Sequence, residues 1–385
     1  MYDVIILGAG ASGLFCASRL KNKKVLILEG NTKPGLKLLA SGGGLCNFYN
    51  ADLSYKDYQS RNPRFCISAL SSHRLEDFKI FLKEHKVNFT QRPDGKLFAS
   101  SSKAVLDALL AALPSTAEMR LACKFEKALK KENIFEVSAG GAVFKAANLV
   151  CALGGPSYPA LGASAAAYAL AESFGHAIIP PYPALCGIVF TGPLKERFAD
   201  TAGISLEAEL SCGKNKFGGG LLFTHDGLSG PALFQLSLYG IKGKEIKINF
   251  APKTDIAAFI RENKNGAKNI SSILEELLPA RLVKALLNGF DKKSADLNKK
   301  EIQLLALLFN SFGFTAQKLT GYQKAEITAG GISVEEISSK TMESKKTQGL
   351  YFTGECLDVS GKLGGYNLAW AWASAAAAAK DIFSK

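Results

Sequence analysis

Met1-Tyr-Asp-Val-Ile-Ile-Leu-Gly-Ala-Gly-Ala-Ser-Gly13 opens the chain, and Val25-Leu-Ile-Leu-Glu29 follows it. Val4 to Leu7 is an apolar, β-branched run suited to a strand buried on both faces. Gly8, Gly10 and Gly13 then stand at G-x-G-x-x-G spacing, and from Ser12 the pattern turns helical. Val25 to Leu28 is a second strand, closed by an acid. Strand, tight turn, helix, strand and acid come in the order that a dinucleotide site requires. Gly8 allows the turn, Gly10 admits backbone to a pyrophosphate, and Gly13 lets helix and strand pack closely. The helix start at Ala11, Ser12 and Gly13 offers unpaired N–H groups and a partial positive charge to phosphates. Glu29 lies 21 residues after Gly8, where a ribose-binding carboxylate belongs, and Gly30 follows it.

Working outward, 385 residues suffice for two or three domains, and 47% hydrophobic residues fit a soluble globular protein. The first strand begins at residue 2 or 3, so no signal peptide is visible. The richest apolar run, Leu368 to Ala379, is too short to span a bilayer. Eight cysteines, at 16, 46, 66, 123, 151, 186, 212 and 356, form no C-x-x-C. That argues against zinc ribbons and a thioredoxin-type pair and fits a reducing cytoplasm. The formal charge of +13 is spread over scattered lysines without an Arg-rich block. It reads as a solvated surface in preference to a nucleic-acid partner.

Lys37-Leu-Leu-Ala-Ser-Gly-Gly-Gly-Leu-Cys-Asn47 carries three consecutive glycines, which are costly to order. Their use is to bring backbone N–H groups against a flat or anionic ligand; Lys37 suits a phosphate and Asn47 a ring edge. Residues 63–86 read as two helices, with His73 and His85 as surface residues. Asp94-Gly95 marks a hairpin, and Lys103 to Leu113 a helix. Glu118 to Lys145 reads as a small antiparallel layer. Ala147 to Leu153 is another buried strand, and it places Leu153 and Gly154 at the same crevice as Gly8 to Gly13.

Prolines at 180, 181 and 183 mark a boundary. Beyond it the chain is β-rich to Phe250 and helical from Thr254 to Phe312, with a capping box at Asn298 and Glu301. The sheet pattern returns in Glu326-Ile-Thr-Ala-Gly-Gly331 and Gly349-Leu-Tyr-Phe-Thr-Gly-Glu355. Gly364-Gly365-Tyr366-Asn367 opens a last helix whose Trp370 and Trp372 read as core. The expected division is 1–185 and 321–385 for the nucleotide domain, with 186–320 inserted.

These motifs, with Phe223-Thr-His-Asp-Gly-Leu-Ser-Gly-Pro231 and Thr341-Met-Glu-Ser344, make the chain resemble the BaiN-like family of FAD-dependent oxidoreductases, which includes aminoacetone oxidases. The resemblance covers nearly the whole chain. It implies an α/β fold: a Rossmann-like FAD domain of the glutathione-reductase-like, two-dinucleotide-binding type, with an inserted β-barrel-like domain and helical cap. It implies that Gly8 to Gly13 hold the FAD pyrophosphate and that Glu29 holds the adenosine ribose. Ser41, Gly42, Gly43, Cys46 and Asn47 would border the flavin with Gly365, Tyr366 and Asn367, and Gly354 and Glu355 would lie near the ribityl-phosphate. The chain departs from the family pattern at Leu36 and Leu45, where Arg is usual, and at Ala165-Ala166-Ala167, where Gly-Asp-Gly is common.

Flavin would carry the chemistry while the protein positions it. The favoured reading is hydride transfer between FAD and a small organic substrate. NAD(P)H would be a transient donor, because no second complete G-x-G-x-x-G exists to hold it. An FAD-dependent tRNA-modifying enzyme and a non-catalytic flavin carrier are the alternatives. Cys46 is read as packing ahead of catalysis, and His225 as stabilising its own turn ahead of acid–base work. No catalytic residue is assigned, and substrate and oligomeric state stay open.

Overall fold

The computed structural model describes residues 1–264 and 268–385. The chain forms two compact units, Met1–Tyr182 with Glu326–Lys385, and Pro183–Ala325.

In the first unit, strand β1 (Tyr2–Leu7) leads through a turn into helix α1 (Ala11–Ser18) and strand β2 (Val25–Leu28). β1 lies at the centre of a parallel sheet, between β2 and the strand Ala142–Cys151. Leu350–Phe352 adds in parallel beyond Ala142–Cys151. The burial of Val4–Leu7 and Val25–Leu28 is complete or nearly so, as continuous apolar runs in a parallel sheet require. From β1 the chain passes to β2 on one side and returns later on the other. The carboxyl end of β1 is therefore the switch point, where a crevice opens.

Residues 118–145 do not form one antiparallel layer. Ala117–Arg120 is the outer parallel strand, in register with Val25–Leu28, so it extends the central sheet. Only Phe125–Lys131 and Ile134–Ala139 are antiparallel, ending on the first half of Ala142–Cys151. Side-chain alternation is the same in either strand direction, so periodicity alone did not separate the two cases.

The closing helix Tyr366–Ser384 packs on α1. Its alanines allow close approach, and its two tryptophans fill the gap that remains. Trp372 stacks on Phe78 at 4.5 Å and meets Phe15 edge-on at 5.5 Å; Trp370 meets Phe65 at 6.1 Å. His73 is also core, contrary to a surface reading. It is 4% exposed, with its ring 5.1 Å from Phe15.

The second unit holds a seven-stranded antiparallel sheet with helices Ile256–Glu262, Ile270–Leu274, Ala280–Leu287 and Lys299–Asn310. The last of these begins in the expected capping box. Asn298 Oδ1 accepts from the Lys300 and Glu301 amides, and Glu301 accepts from the Asn298 amide at 2.9 Å.

Candidate cofactor site

Three backbone facts fix the turn at the end of β1. The Gly8 amide donates to the Leu28 carbonyl at 2.8 Å, and Gly8 has φ +98°. A methyl on Gly8 would come within 2.6 Å of the Ala152 carbonyl oxygen. A methyl on Gly13 would overlap the Gly8 carbonyl. At Gly10, by contrast, an added Cβ meets nothing within 4 Å. Two glycines are thus demanded by packing, and the middle one faces open space.

Glu29 is held at the edge of this turn, 9% exposed. One carboxylate oxygen accepts from the Ala9 amide at 2.8 Å. The other accepts from the Asn31 amide and side chain at 2.8 and 2.9 Å. A carboxylate offers about four acceptor positions, so one remains for a ligand hydroxyl. Gly30 leaves room against Lys124, 3.7 Å from its Cβ position.

The far end of the sequence reaches the same crevice. Thr353 Oγ1 lies 3.4 Å from Ser12 Oγ, and Gly354 sits where a methyl would be 2.8 Å from that oxygen. Gly354 is pinned by its amide to Ser374 Oγ (2.9 Å) and by the Trp370 indole N–H to its carbonyl (3.1 Å). The next residue, Glu355, pairs with Lys37 Nζ at 2.7 Å and accepts from the Thr328 amide at 2.8 Å. Gly154 lies alongside, 3.9 Å from Glu355 Oε2 at its Cβ position, with half-buried Leu153 before it. Lys37, read in sequence as a phosphate partner, is therefore first of all the counter-ion of Glu355.

Thr328 extends the network, and the sequence reading did not single it out alone. Its hydroxyl meets Ser157 Oγ at 2.9 Å. Beside it the Tyr158 hydroxyl donates to Glu326 at 3.2 Å. Burial pushes the Tyr158 phenol up to about 12 and raises Glu326, against the lowering effect of Tyr158 and Lys37.

A second group lies along Ser41–Asn47. The Cys46 amide donates to the Ser41 carbonyl at 3.1 Å, and the Ser41 hydroxyl to Leu38 at 2.6 Å. Gly42 packs against the Asn47 amide, while Gly43 faces open space. The Cys46 thiol is buried, which pushes it up to about 12. Cys46 is a free cysteine with no exposed surface. With its side-chain nitrogen and oxygen exchanged to satisfy their neighbours, Asn47 donates to the Tyr49 carbonyl of its own strand at 3.1 Å and to the Leu97 carbonyl of the adjacent strand at 3.0 Å. Asn367 is used in the same way: its oxygen accepts from the Gly361 amide (2.8 Å) and its nitrogen donates to the Gly361 carbonyl (3.0 Å). Both side chains hold backbone groups. Gly365 abuts the Tyr49 carbonyl, and the Tyr366 carbonyl accepts from Tyr58 at 2.8 Å, so these loops share one wall. His225 is exposed in the turn after Asn215–Phe223, where the Gly227 amide donates to Thr224 Oγ1 at 3.1 Å.

Helices α1 and Tyr366–Ser384 both start at a glycine with no side-chain cap and no acid in the first turn. Ala166–Ser173 and Ala280–Leu287 begin equally bare, while Ser101, Asp255 and Asn298 cap their helices, so it is the open space beside a bare start that distinguishes α1. Two bare N-termini, the open space at Gly10 and the spare acceptor of Glu29 fit a dinucleotide with two phosphates and a ribose. A family model described as the HI0933-like protein Rossmann domain matches residues 2–381.

The chain belongs to this family. It is one of FAD-dependent oxidoreductases with a Rossmann-type fold. The narrower BaiN-like resemblance holds at the level of this wider group. The chain is 37% identical over 393 residues to a ribosomal RNA dihydrouridine synthase of Escherichia coli (strain K12), covering 100% of this chain and 98% of that one. A ribosomal RNA dihydrouridine synthase of Haemophilus influenzae is also 37% identical, over 98% of each chain. A 3-dehydro-bile acid delta(4,6)-reductase of Clostridium scindens is 29% identical over 97% of each. Among solved structures, a quinol-fumarate reductase with menaquinol shares the fold (TM-score 0.50, 14% identity, 100% of this chain and 71% of that chain). No helix among the described residues is long and apolar enough to cross a membrane.

Proposed function

We propose that this protein is an FAD-dependent reductase of a uracil ring in ribosomal RNA, with NAD(P)H as the ultimate donor. The observation that carries the reading is full-length similarity at 37% identity to two ribosomal RNA dihydrouridine synthases, against 29% to a bile-acid reductase. It favours the RNA-modifying class over the small-molecule substrate preferred from sequence. The net change would add a hydride and a proton across the uracil C5=C6 bond while NAD(P)H becomes NAD(P)⁺. Bound FAD would supply the hydride relay.

The chain's own residues would do the rest. The amides of Ala11 to Gly13 and the space at Gly10 would seat the pyrophosphate, and Glu29 the adenosine ribose. Lys37 neutralises Glu355, so the acid beside the crevice does not repel phosphate. The bare N-terminus of Tyr366–Ser384 would stabilise negative charge on a neighbouring ring by about 0.3–1 kcal/mol, more where water is excluded. Cys46 stays a neutral thiol and takes no nucleophilic part.

The test is direct. FAD-loaded protein, NADH or NADPH, and unmodified ribosomal RNA are incubated without oxygen, and nuclease fragments are weighed. A fragment heavier by two hydrogens supports the proposal. Unchanged RNA alongside rapid reduction of a small conjugated enone would overturn it.

A further inference from the structure

The lysines of the second unit are not evenly spread. In its sheet, Ser205–Cys212 pairs with both Asn215–Phe223 and Glu245–Asn249. Lys216, Ser211 and Lys247 stand in one row across these three strands, and antiparallel partners point to the same face. Lys214 sits in the hairpin turn beside them. Lys242 and Lys244 precede the third strand, where the Ala316 amide donates to the Lys244 carbonyl at 3.0 Å. Five exposed lysines therefore crown one end of the sheet.

Two acids, Glu209 and Glu245, share that end; among the described residues only Glu209 is ion-paired, with Lys216 at 2.7 Å. Lys244 Nζ donates to the Tyr239 carbonyl at 3.3 Å. Tyr239 is half-buried and stacks on half-buried Phe217 at 5.5 Å and 29°. That pair stiffens the base of the cluster. Lys214, Lys242 and Lys247 make no ion pair among the described residues.

We infer that this lysine crown is where the RNA phosphate backbone docks. The inference rests on the RNA reading above and deepens it. Its warrant is charge complementarity: five ammonium groups on two turns and two strands, with two acids among them, match a polyanion. Lysine contacts of this kind supply affinity and orientation without reading sequence. The crown would add binding and leave the flavin chemistry alone.

The experiment uses FAD-loaded full-length protein and a ribosomal RNA fragment in filter binding from 50 to 400 mM KCl. The variant K214A/K242A/K244A/K247A is compared with K284A/K293A/K299A/K300A, which removes the same charge from the helical part of the unit. Flavin content and NAD(P)H-driven bleaching serve as folding controls and should match wild type in both. The first variant should lose at least about tenfold in affinity near 0.1 M salt, and its log–log salt slope should fall by about 3, since each lost phosphate contact removes roughly 0.7–0.9. The second should stay near wild type. Equal binding by the two variants, with wild type still producing dihydrouridine, would overturn the crown and spare the function. Wild type that neither binds nor modifies RNA would overturn both.

Discussion

Replacing Gly10 with Ala separates a ligand site from a packing site. Gly10 has φ −84° and ψ −168°, a conformation open to alanine, and its new methyl would meet no atom within 4 Å. The apoprotein should therefore keep its stability, or gain up to about 0.4–1 kcal/mol from a stiffer unfolded chain. Cofactor binding should suffer, because the methyl would project into the open space proposed for the pyrophosphate. A tenfold weaker Kd corresponds to about 1.4 kcal/mol. At a free FAD concentration of 100 Kd for wild type, the stabilisation on binding is about 2.7 kcal/mol; tenfold weaker binding leaves about 1.4. Calorimetric titration with FAD and thermal melts with and without it measure both quantities. Gly13→Ala is the counter-case. Its methyl overlaps the Gly8 carbonyl, so the apoprotein itself should lose about 1–3 kcal/mol. If Gly10→Ala binds FAD as tightly as wild type, or destabilises the apoprotein as Gly13→Ala does, the placement of the phosphates over this turn is wrong.

Lys37→Met leaves Glu355 with the Thr328 amide as its remaining partner, in a pair only 33% and 22% exposed. The apoprotein should lose about 1–2 kcal/mol in urea unfolding, and K37M/E355Q should recover part of it. His73 has a ring pushed down to about 4 by burial and by Arg19, against an unfolded value of about 6.5. Its neutral form is favoured by folding, so its contribution is complete above pH 6.5 and is lost as pH falls to 4, on the order of 3 kcal/mol. His73→Leu should flatten that part of the stability–pH curve measured by urea unfolding, and an unchanged slope would count against the assignment. All eight cysteines are buried and free, so native protein should react with Ellman's reagent only after unfolding, and Cys46→Ala should keep its rate of flavin reduction within about threefold.

The opening turn was readable because its constraints are local. Gly8, Gly10, Gly13 and Glu29 act within thirty residues, and strand burial writes itself as the unbroken run Val4 to Leu7. The Asn298–Glu301 box and the tryptophans of the last helix were legible for the same reason. Partners far apart in sequence were not. Lys37 and Glu355 are separated by 318 positions, and each alone looks like a ligand group. Asn47 suits a ring edge in sequence because an amide does not announce that it will bracket backbone. His73 looked solvent-facing because it lies next to Arg74 in a polar stretch; only the packing of α1 places it beneath Phe15. The different uses of Gly10 and Gly13 follow from their places in the G-x-G-x-x-G spacing, and the open space at the one and the tight contact at the other agree with it.

The Lys37–Glu355 pair also decides how the crevice attracts phosphate. With the lysine spent on the acid, the positive field there comes mainly from peptide N–H groups at two helix starts. Such dipoles are short-ranged and partly shielded from solvent, so ions of the buffer screen them little. The lysine crown of the second unit is the opposite case, with full charges in water. Raising salt from 50 to 200 mM should therefore change the Kd for FAD by less than about threefold, while five phosphate contacts would lose roughly 10²-fold in RNA affinity. One protein with a net charge of +13 would thus hold one anion almost regardless of ionic strength and the other only at low salt. Parallel salt dependence for both ligands would mean that Lys37 is released to the cofactor on binding and that the ion pair does not survive in the loaded protein.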